Sequence, residues 1–255
     1  MSSNARDAYL DLLKMTLTGL TDVQPTRMKV HEDNSLEVIP LWNLNIRRVG
    51  RDWPNNGYTM VGLNRLDNVQ ACVEQVLADD VPGDFVETGI WRGGTSMFMR
   101  AMLKAYDVTD RVVYAADSFA GLPAPDAERY PLDEGSDLHS FDFLAVPRVT
   151  VENNFRRFGL MDRQVKFVEG WFRDTMPTLA GHTWSLIRMD GDLYESTITV
   201  LENLYPGLSP GGFVIVDDYG LRACRRAVDD YRSAHGIEDE VHRIDRIAAY
   251  WRKGP

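Results

Sequence analysis

Phe85-Val86-Glu87-Thr88-Gly89-Ile90-Trp91-Arg92-Gly93-Gly94-Thr95-Ser96 is the stretch on which the fold turns. A short apolar run ends in an acid, passes a glycine and leads through a Gly-Gly pair into a helical pattern, so it reads as a strand turning into a helix. It differs from the G-x-G-x-x-G of dinucleotide folds, which sets a dehydrogenase aside. An acid at the strand end repels a pyrophosphate and suits a cationic ligand such as the ammonium of S-adenosylmethionine. Outward from this stretch the rhythm repeats. Asp84 to Glu87, Val112 to Asp117, Val165 to Glu169, Trp184 to Asp190 and Gly212 to Asp218 are strand-like runs separated by helical ones. Five strands in this alternation predict an α/β fold with an open, mostly parallel sheet and helices on both faces. Glu240 to Asp245 and Ala248 to Arg252 add a closing antiparallel hairpin, although its turn has neither glycine nor asparagine.

The remaining 80 or so residues at the start of the chain are less regular. Leu10, Leu13, Leu17 and Leu20 keep helical spacing and put one apolar stripe on an opening helix, for packing or for a lid or dimer contact. From Thr21 to Asn56, with Pro25, Pro40 and Pro54, periodicity is weak, so an irregular flap with at most a short strand or helix is expected. Helical spacing resumes from Met60 to Leu77. The economical division is 1–57 as helix and flap and 58–255 as the main α/β unit. One interval is long, Phe119 to Arg148, with four prolines and a cluster of acids. An insertion after a parallel strand borders the binding crevice, where it would shape an acceptor site.

Of 255 residues, 44% are hydrophobic, enough for a full core, and 38 acids against 28 Lys plus Arg give a net charge of −10. That balance disfavours nucleic acid or an anionic membrane surface as partner. Two cysteines, Cys72 and Cys224, exclude a disulfide framework or a cysteine zinc site, and a cytoplasmic protein is expected. Arg6, Asp7, Asp11 and Lys14 interrupt any secretory signal, and no stretch approaches the ~20 apolar residues of a membrane span. The opening helix and flap suggest a homo-oligomer.

In such a sheet, ligands bind at the carboxyl ends of the strands, and these ends carry Glu87, Asp117, Glu169, Asp190 and the pair Asp217-Asp218. Asp117 can accept from both hydroxyls of a ribose; the competing role for it and for Glu87 is a helix cap. Asp190, Asp217 and Asp218 stand on adjacent strand ends ~5 Å apart and can converge on one ion. Three unneutralised carboxylates repel, and their all-oxygen chemistry points to Mg²⁺ before Ca²⁺ or Mn²⁺; the competing role is that of loop-start acids capping helices. No histidine pair forms a metal motif, and no G-x-S-x-G elbow supports a hydrolase. His139, in the insertion, is a candidate acceptor contact or auxiliary base. Trp171-Phe172, after Glu169-Gly170, either flank an adenine or pack into the core.

Glu87-Thr88-Gly89 with Trp91-Arg92-Gly93-Gly94, Ala116-Asp117-Ser118-Phe119, Glu169-Gly170-Trp171-Phe172, Met189-Asp190-Gly191-Asp192-Leu193-Tyr194 and Asp217-Asp218-Tyr219 resemble, in order, the motifs of the macrocin O-methyltransferase family. The resemblance spans about Tyr58 to Arg252. It implies a class I, Rossmann-like methyltransferase with a seven-stranded sheet, S-adenosyl-L-methionine as donor and Mg²⁺ as activator. It implies cofactor contacts at Met60, Glu87, Thr88, Gly89, Gly93, Gly94, Thr95, Ser96, Asp117, Ser118, Gly170, Trp171 and Asp190, and metal ligands at Asp190, Asp217 and Asp218. Asp192 or Asp190 is the proton acceptor. The reaction implied is methylation of a deoxysugar hydroxyl in antibiotic biosynthesis, on a nucleotide-linked sugar or on a glycosylated aglycone. A nucleotide sugar calls for arginines near the cleft, with Arg92, Arg129 and Arg148 as candidates, whereas an aglycone calls for an apolar trough. Phenolic methylation of a catechol and a silent nucleoside-binding scaffold are the alternatives.

Overall fold

The computed structural model describes residues 3–254; Met1, Ser2 and Pro255, at the outer limits of the two expected units, lie outside it. The described chain runs α1 (Ser3–Leu17), β1 (Thr26–Val30), β2 (Leu36–Pro40), α2 (Leu44–Arg48), β3 (Trp53–Pro54), α3 (Leu63–Ala78), β4 (Asp84–Thr88), α4 (Gly94–Ala105) and β5 (Val113–Asp117). It continues through α5 (Arg148–Arg157), β6 (Val165–Glu169), α6 (Phe172–Thr175), β7 (Trp184–Met189), α7 (Tyr194–Leu204), β8 (Leu208–Val216), α8 (Arg222–Ala234), β9 (His242–Arg243) and β10 (Ala249–Arg252). Seven strands form one sheet in the order β6-β5-β4-β7-β8-β10-β9, parallel as far as β8 and antiparallel beyond it.

Side chains alternate across this sheet, as a strand period of two requires. Phe85, Val113, Ala115, Leu186, Phe213 and Ile215 pack with buried residues of α1, α3, α4 and α5, while Val86, Tyr114, Ala116, Ile187, Met189, Val214 and Val216 belong to the core shared with α7 and α8. The five expected strands all form. β8 begins at Leu208, earlier than Gly212, because Ser209-Pro210-Gly211-Gly212 reads as a turn yet stays within the strand as an irregularity, Gly211 at φ 84° with its N–H bonded to the Lys253 carbonyl. The hairpin turn needs no glycine: the Asp245 carboxylate accepts from the N–H groups of Ile247 (2.7 Å) and Ala248 (2.8 Å), which tightens the chain by side-chain bonding.

The flap is more ordered than its periodicity suggests. β2, β1 and β3 form a three-stranded antiparallel sheet, with Pro40 and Pro54 ending strands and Pro25 preceding one, positions where a missing N–H is tolerated. Buried Arg47 ties it to the helix, bonding Asp52 and the carbonyls of Thr18 and Thr26 at 2.9 Å each. The leucine stripe of α1 is covered by this same chain, since Leu10, Leu13 and Leu17 are buried against α3 and α4. Among the described residues, no helix is long and apolar enough to cross a membrane.

The order of strands places the site. The chain enters the large sheet at β4, builds outward to β6, then crosses back to set β7 beside β4, and a crevice opens where the two directions part.

Candidate active site

At that crevice Gly89 follows β4 and Asp190 follows β7. Asp190 N–H donates to the Thr88 carbonyl (2.9 Å), and a Cβ built on Gly89 would collide with the Asp190 carbonyl, so the two strand ends touch through backbone alone. Three loops leave their strands through left-handed residues other than glycine, Trp91 (φ 48°), Phe119 (φ 55°) and Asp192 (φ 57°). Such conformations persist where surrounding structure enforces them, and here they surround one cavity of about 450 Å³.

Most of the expected residues reach this cavity. Met60, Glu87, Gly89, Thr95, Asp117, Ser118, Gly170, Trp171, Asp190, Asp192, Asp217 and Asp218 line it. Thr88, Gly93, Gly94 and Ser96 do not. A Cβ on Gly93 would meet Val151 and Phe155, and one on Gly94 would meet Tyr58 and Thr59, so this pair makes room for neighbouring segments rather than for a ligand. Ser96 instead donates to buried Glu87. His139 is exposed in a 3-10 turn (Leu138–Ser140) and is outside the cavity wall, which its neighbour Leu138 joins.

The arginines are redistributed as well. Arg92 donates to the carbonyls of Asn55 and Gly57, at 2.8 Å each, and stacks on Trp91; Arg148 pairs with Glu152 and Glu169; exposed Arg129 lies over Tyr130. None of the three lines the cavity, whereas Arg51, Arg65 and Arg173 do. The insertion and its surroundings contribute an apolar wall of Trp53, Leu122, Pro123, Leu138, Leu144 and Leu221.

Beneath the acids lies a charge network. Arg188, fully buried on β7, bonds Glu87 (2.6 Å), Asp190 (3.0 Å) and Asp217, and Arg65 from α3 takes the other oxygen of Asp217 while bonding Asp245 (2.8 Å). Burial works against the charge on Arg188, but Asp217, Asp190 and Glu87 outweigh it and hold it charged. One oxygen from each of Asp190, Asp217 and Asp218 falls within 4.8 Å of the other two. Burial, then Asp217, pushes Asp190 up to about 6; burial, then Asp190 and Asp217, pushes Asp192 up to about 7. Burial, then Asp192, Asp190 and Asp217, raise Asp218 well above the usual carboxylate range, and burial raises Glu87 to about 7 despite Arg188. Two guanidiniums therefore leave negative charge uncompensated, the condition that a hard divalent cation relieves.

On the opposite side of Gly89, Asp117 is wired to the loops. It accepts from the N–H groups of Ile90 (2.7 Å), Trp91 (3.3 Å) and Phe119 (2.7 Å), while burial raises its pKa against these bonds. It thus fixes two loop ends besides lining the cavity. The side chain of Asp192 differs from its neighbours in making no hydrogen bond or ion pair among the described residues, although its N–H donates to Asp218 (3.0 Å).

The profile of the Macrocin-O-methyltransferase (TylF) family matches residues 6–253. The 8-demethyl-8-(2,3-dimethoxy-alpha-L-rhamnosyl)-tetracenomycin-C 4'-O-methyltransferase of Streptomyces olivaceus is 51% identical, over 99% of this chain and 95% of that protein. The mycinamicin III 3''-O-methyltransferase of Micromonospora griseorubida is 46% identical, over 98% of each. Among solved structures, the O-methyltransferase NovP superposes with a TM-score of 0.89 at 45% identity, covering 98% of this chain and 100% of that one. A TDP-rhamnose 3'-O-methyltransferase of calicheamicin biosynthesis matches at TM-score 0.54 and 25% identity, over 76% and 80%. Class I, Rossmann-like methyltransferase architecture, a full-length family match and near-complete coverage of these relatives converge: the chain belongs to the macrocin O-methyltransferase family.

Proposed function

We propose that the protein transfers a methyl group from S-adenosylmethionine to a sugar hydroxyl on a glycosylated aglycone, with Mg²⁺ held by Asp190, Asp217 and Asp218. The observation that carries the reading is one cavity joining three surfaces: the Gly89 and Asp117 crevice, the acid cluster, and the apolar wall of the insertion. Relatives named for sugar positions on tetracenomycin and mycinamicin support it. In this reading Gly89, by letting the β4 and β7 ends meet, shapes the floor on which the cofactor lies, Asp117 meets its ribose, and Met60 and Trp171 flank it.

Asp192 is the proton acceptor in preference to Asp190, because Arg188 already occupies an Asp190 oxygen while Asp192 has its lone pairs free. A hydroxyl near ~15.7 exceeds an ordinary aspartate, near ~4, by about 12 units, or roughly 16 kcal/mol; burial raises Asp192 and so narrows that gap without closing it. Asp192 therefore takes the proton while the oxygen gains the methyl, not beforehand. When bound, the cation supplies Lewis acidity that narrows this gap. The walls supply alignment, which replaces several kcal/mol of entropic cost.

A diphosphate is a poor fit beside this concentration of carboxylates, which is why the aglycone-linked sugar is preferred. What favours a nucleotide sugar is Arg51 at the cavity, which has no ion pair among the described residues, and the TDP-rhamnose relative. The deciding experiment is turnover of labelled S-adenosylmethionine against nucleotide deoxysugars, glycosylated aglycones and catechols, with Mg²⁺ and with chelator. Chelator-sensitive methylation of a glycosylated aglycone is expected. Turnover confined to nucleotide sugars would select the second reading, and cofactor binding without turnover of any acceptor would reduce the site to a binding pocket.

A further inference from the structure

The segment between β5 and α5 walls the acceptor side through Leu122, Pro123, Leu138 and Leu144, yet it has no regular structure beyond three 3-10 turns, Pro131–Asp133, Leu138–Ser140 and Asp142–Leu144. Something must register it against the acids. Asp133, only 2% exposed, closes the first of these turns, and its two oxygens accept separately from the N–H groups of Tyr194 (2.6 Å) and Glu195 (3.0 Å), the first two residues of α7. Those N–H groups have no partner within a helix, and Leu193 before them offers no side-chain cap. A residue 61 positions away in sequence thus caps the helix. The ring of Tyr130 lies 5.9 Å from that of Tyr194 at the same junction.

α7 starts two residues beyond Asp192. The intervening loop is pinned at its other side by Asp192 N–H on Asp218, and Asp192 holds a left-handed conformation between the two anchors. We propose that Asp133 is a positioning residue: by capping α7 in place of a local residue, it fixes Asp192 and the acceptor wall in one register. This rests on the assignment of Asp192 above. The Gly89 and Asp117 side of the crevice stands outside this linkage, because those residues are held by β4, β5 and their own loops.

Asp133→Ala removes both acceptors, whereas Asp133→Asn keeps one oxygen to accept from one of the two N–H groups and turns an amide donor toward the other. In Asp133→Ala, kcat/KM for the acceptor should fall at least about tenfold through both a higher KM and a lower kcat, with the Kd for S-adenosylmethionine unchanged within about twofold. Asp133→Asn, with one of the two bonds kept, should recover a measurable part of the lost kcat and less than all of it. Independently of turnover, amide hydrogen exchange should quicken in residues 190–197 and 131–144 of Asp133→Ala and stay unchanged around β4. Unchanged exchange at 190–197, an equal loss of cofactor affinity, or no recovery in Asp133→Asn would each overturn the proposal. A wild-type enzyme that methylates no sugar would overturn the function assigned above, while the exchange data would still report on the coupling.

Discussion

At the scale of single residues, the site depends on groups whose roles separate cleanly. Asp190→Asn should retain cofactor binding by calorimetry while kcat falls by ~10²-fold or more, since the change disturbs both the acid cluster and the bond to Arg188. Asp117→Ala leaves three loop N–H groups without their acceptor, so it should weaken cofactor binding and lower the melting temperature together. Gly89→Ala should abolish cofactor binding, because the added methyl meets the Asp190 backbone and the residue holds φ 84°. The acids were legible because carboxylates at strand ends are unusual and recur. Arg188 left a fainter signal: a charge inside the apolar run Trp184-Ser185-Leu186-Ile187-Arg188, in register with Glu87. Arg65 left none, since its partner Asp217 is 152 positions away and nothing local distinguishes it from a surface helix arginine.

At the scale of elements, what sequence revealed followed from period. The β4, β5, β6 and β7 runs alternate or end in acids, and their limits match within a residue or so; β8 reads too short because of Pro210 and two glycines, which bonds to Lys253 keep in the strand despite the left-handed Gly211. The flap was illegible for a different reason. Its strands bury little, with exposed or half-buried side chains along β1 and β2, so no apolar alternation marks them. Its order comes from the Arg47–Asp52 pair, both side chains fully buried. Arg47→Leu strands the Asp52 carboxylate and should lower stability by about 3–5 kcal/mol in chemical denaturation, with Arg47→Leu/Asp52→Leu recovering a large part of it. An equal loss in single and double variants would assign the order of the flap to packing instead.

At the scale of the whole molecule, the acid cluster sets a pH dependence. Glu87, Asp190, Asp192 and Asp218 all have raised pKa values, so between ~4 and about 7 the folded protein binds more protons than the unfolded chain, and their contribution to stability declines as pH rises through that window. The metal-free protein should melt at a lower temperature near about pH 8 than near about pH 5.5, and Mg²⁺ should raise the melting temperature more at the higher pH. A melting temperature indifferent to Mg²⁺ at both values would remove the metal assignment. One consequence reaches the end of the chain. Asp245 stands in the last hairpin, outside the cavity, yet it holds Arg65, which holds Asp217. Shortened versions ending before β9, or split proteins divided after α8, would keep Gly89 and Asp117 and still lose the outer anchor of Asp217, an acid of the proposed metal cluster. The final hairpin is therefore a poor place to trim and a poor junction for a fusion, even though no residue of it touches a ligand pocket.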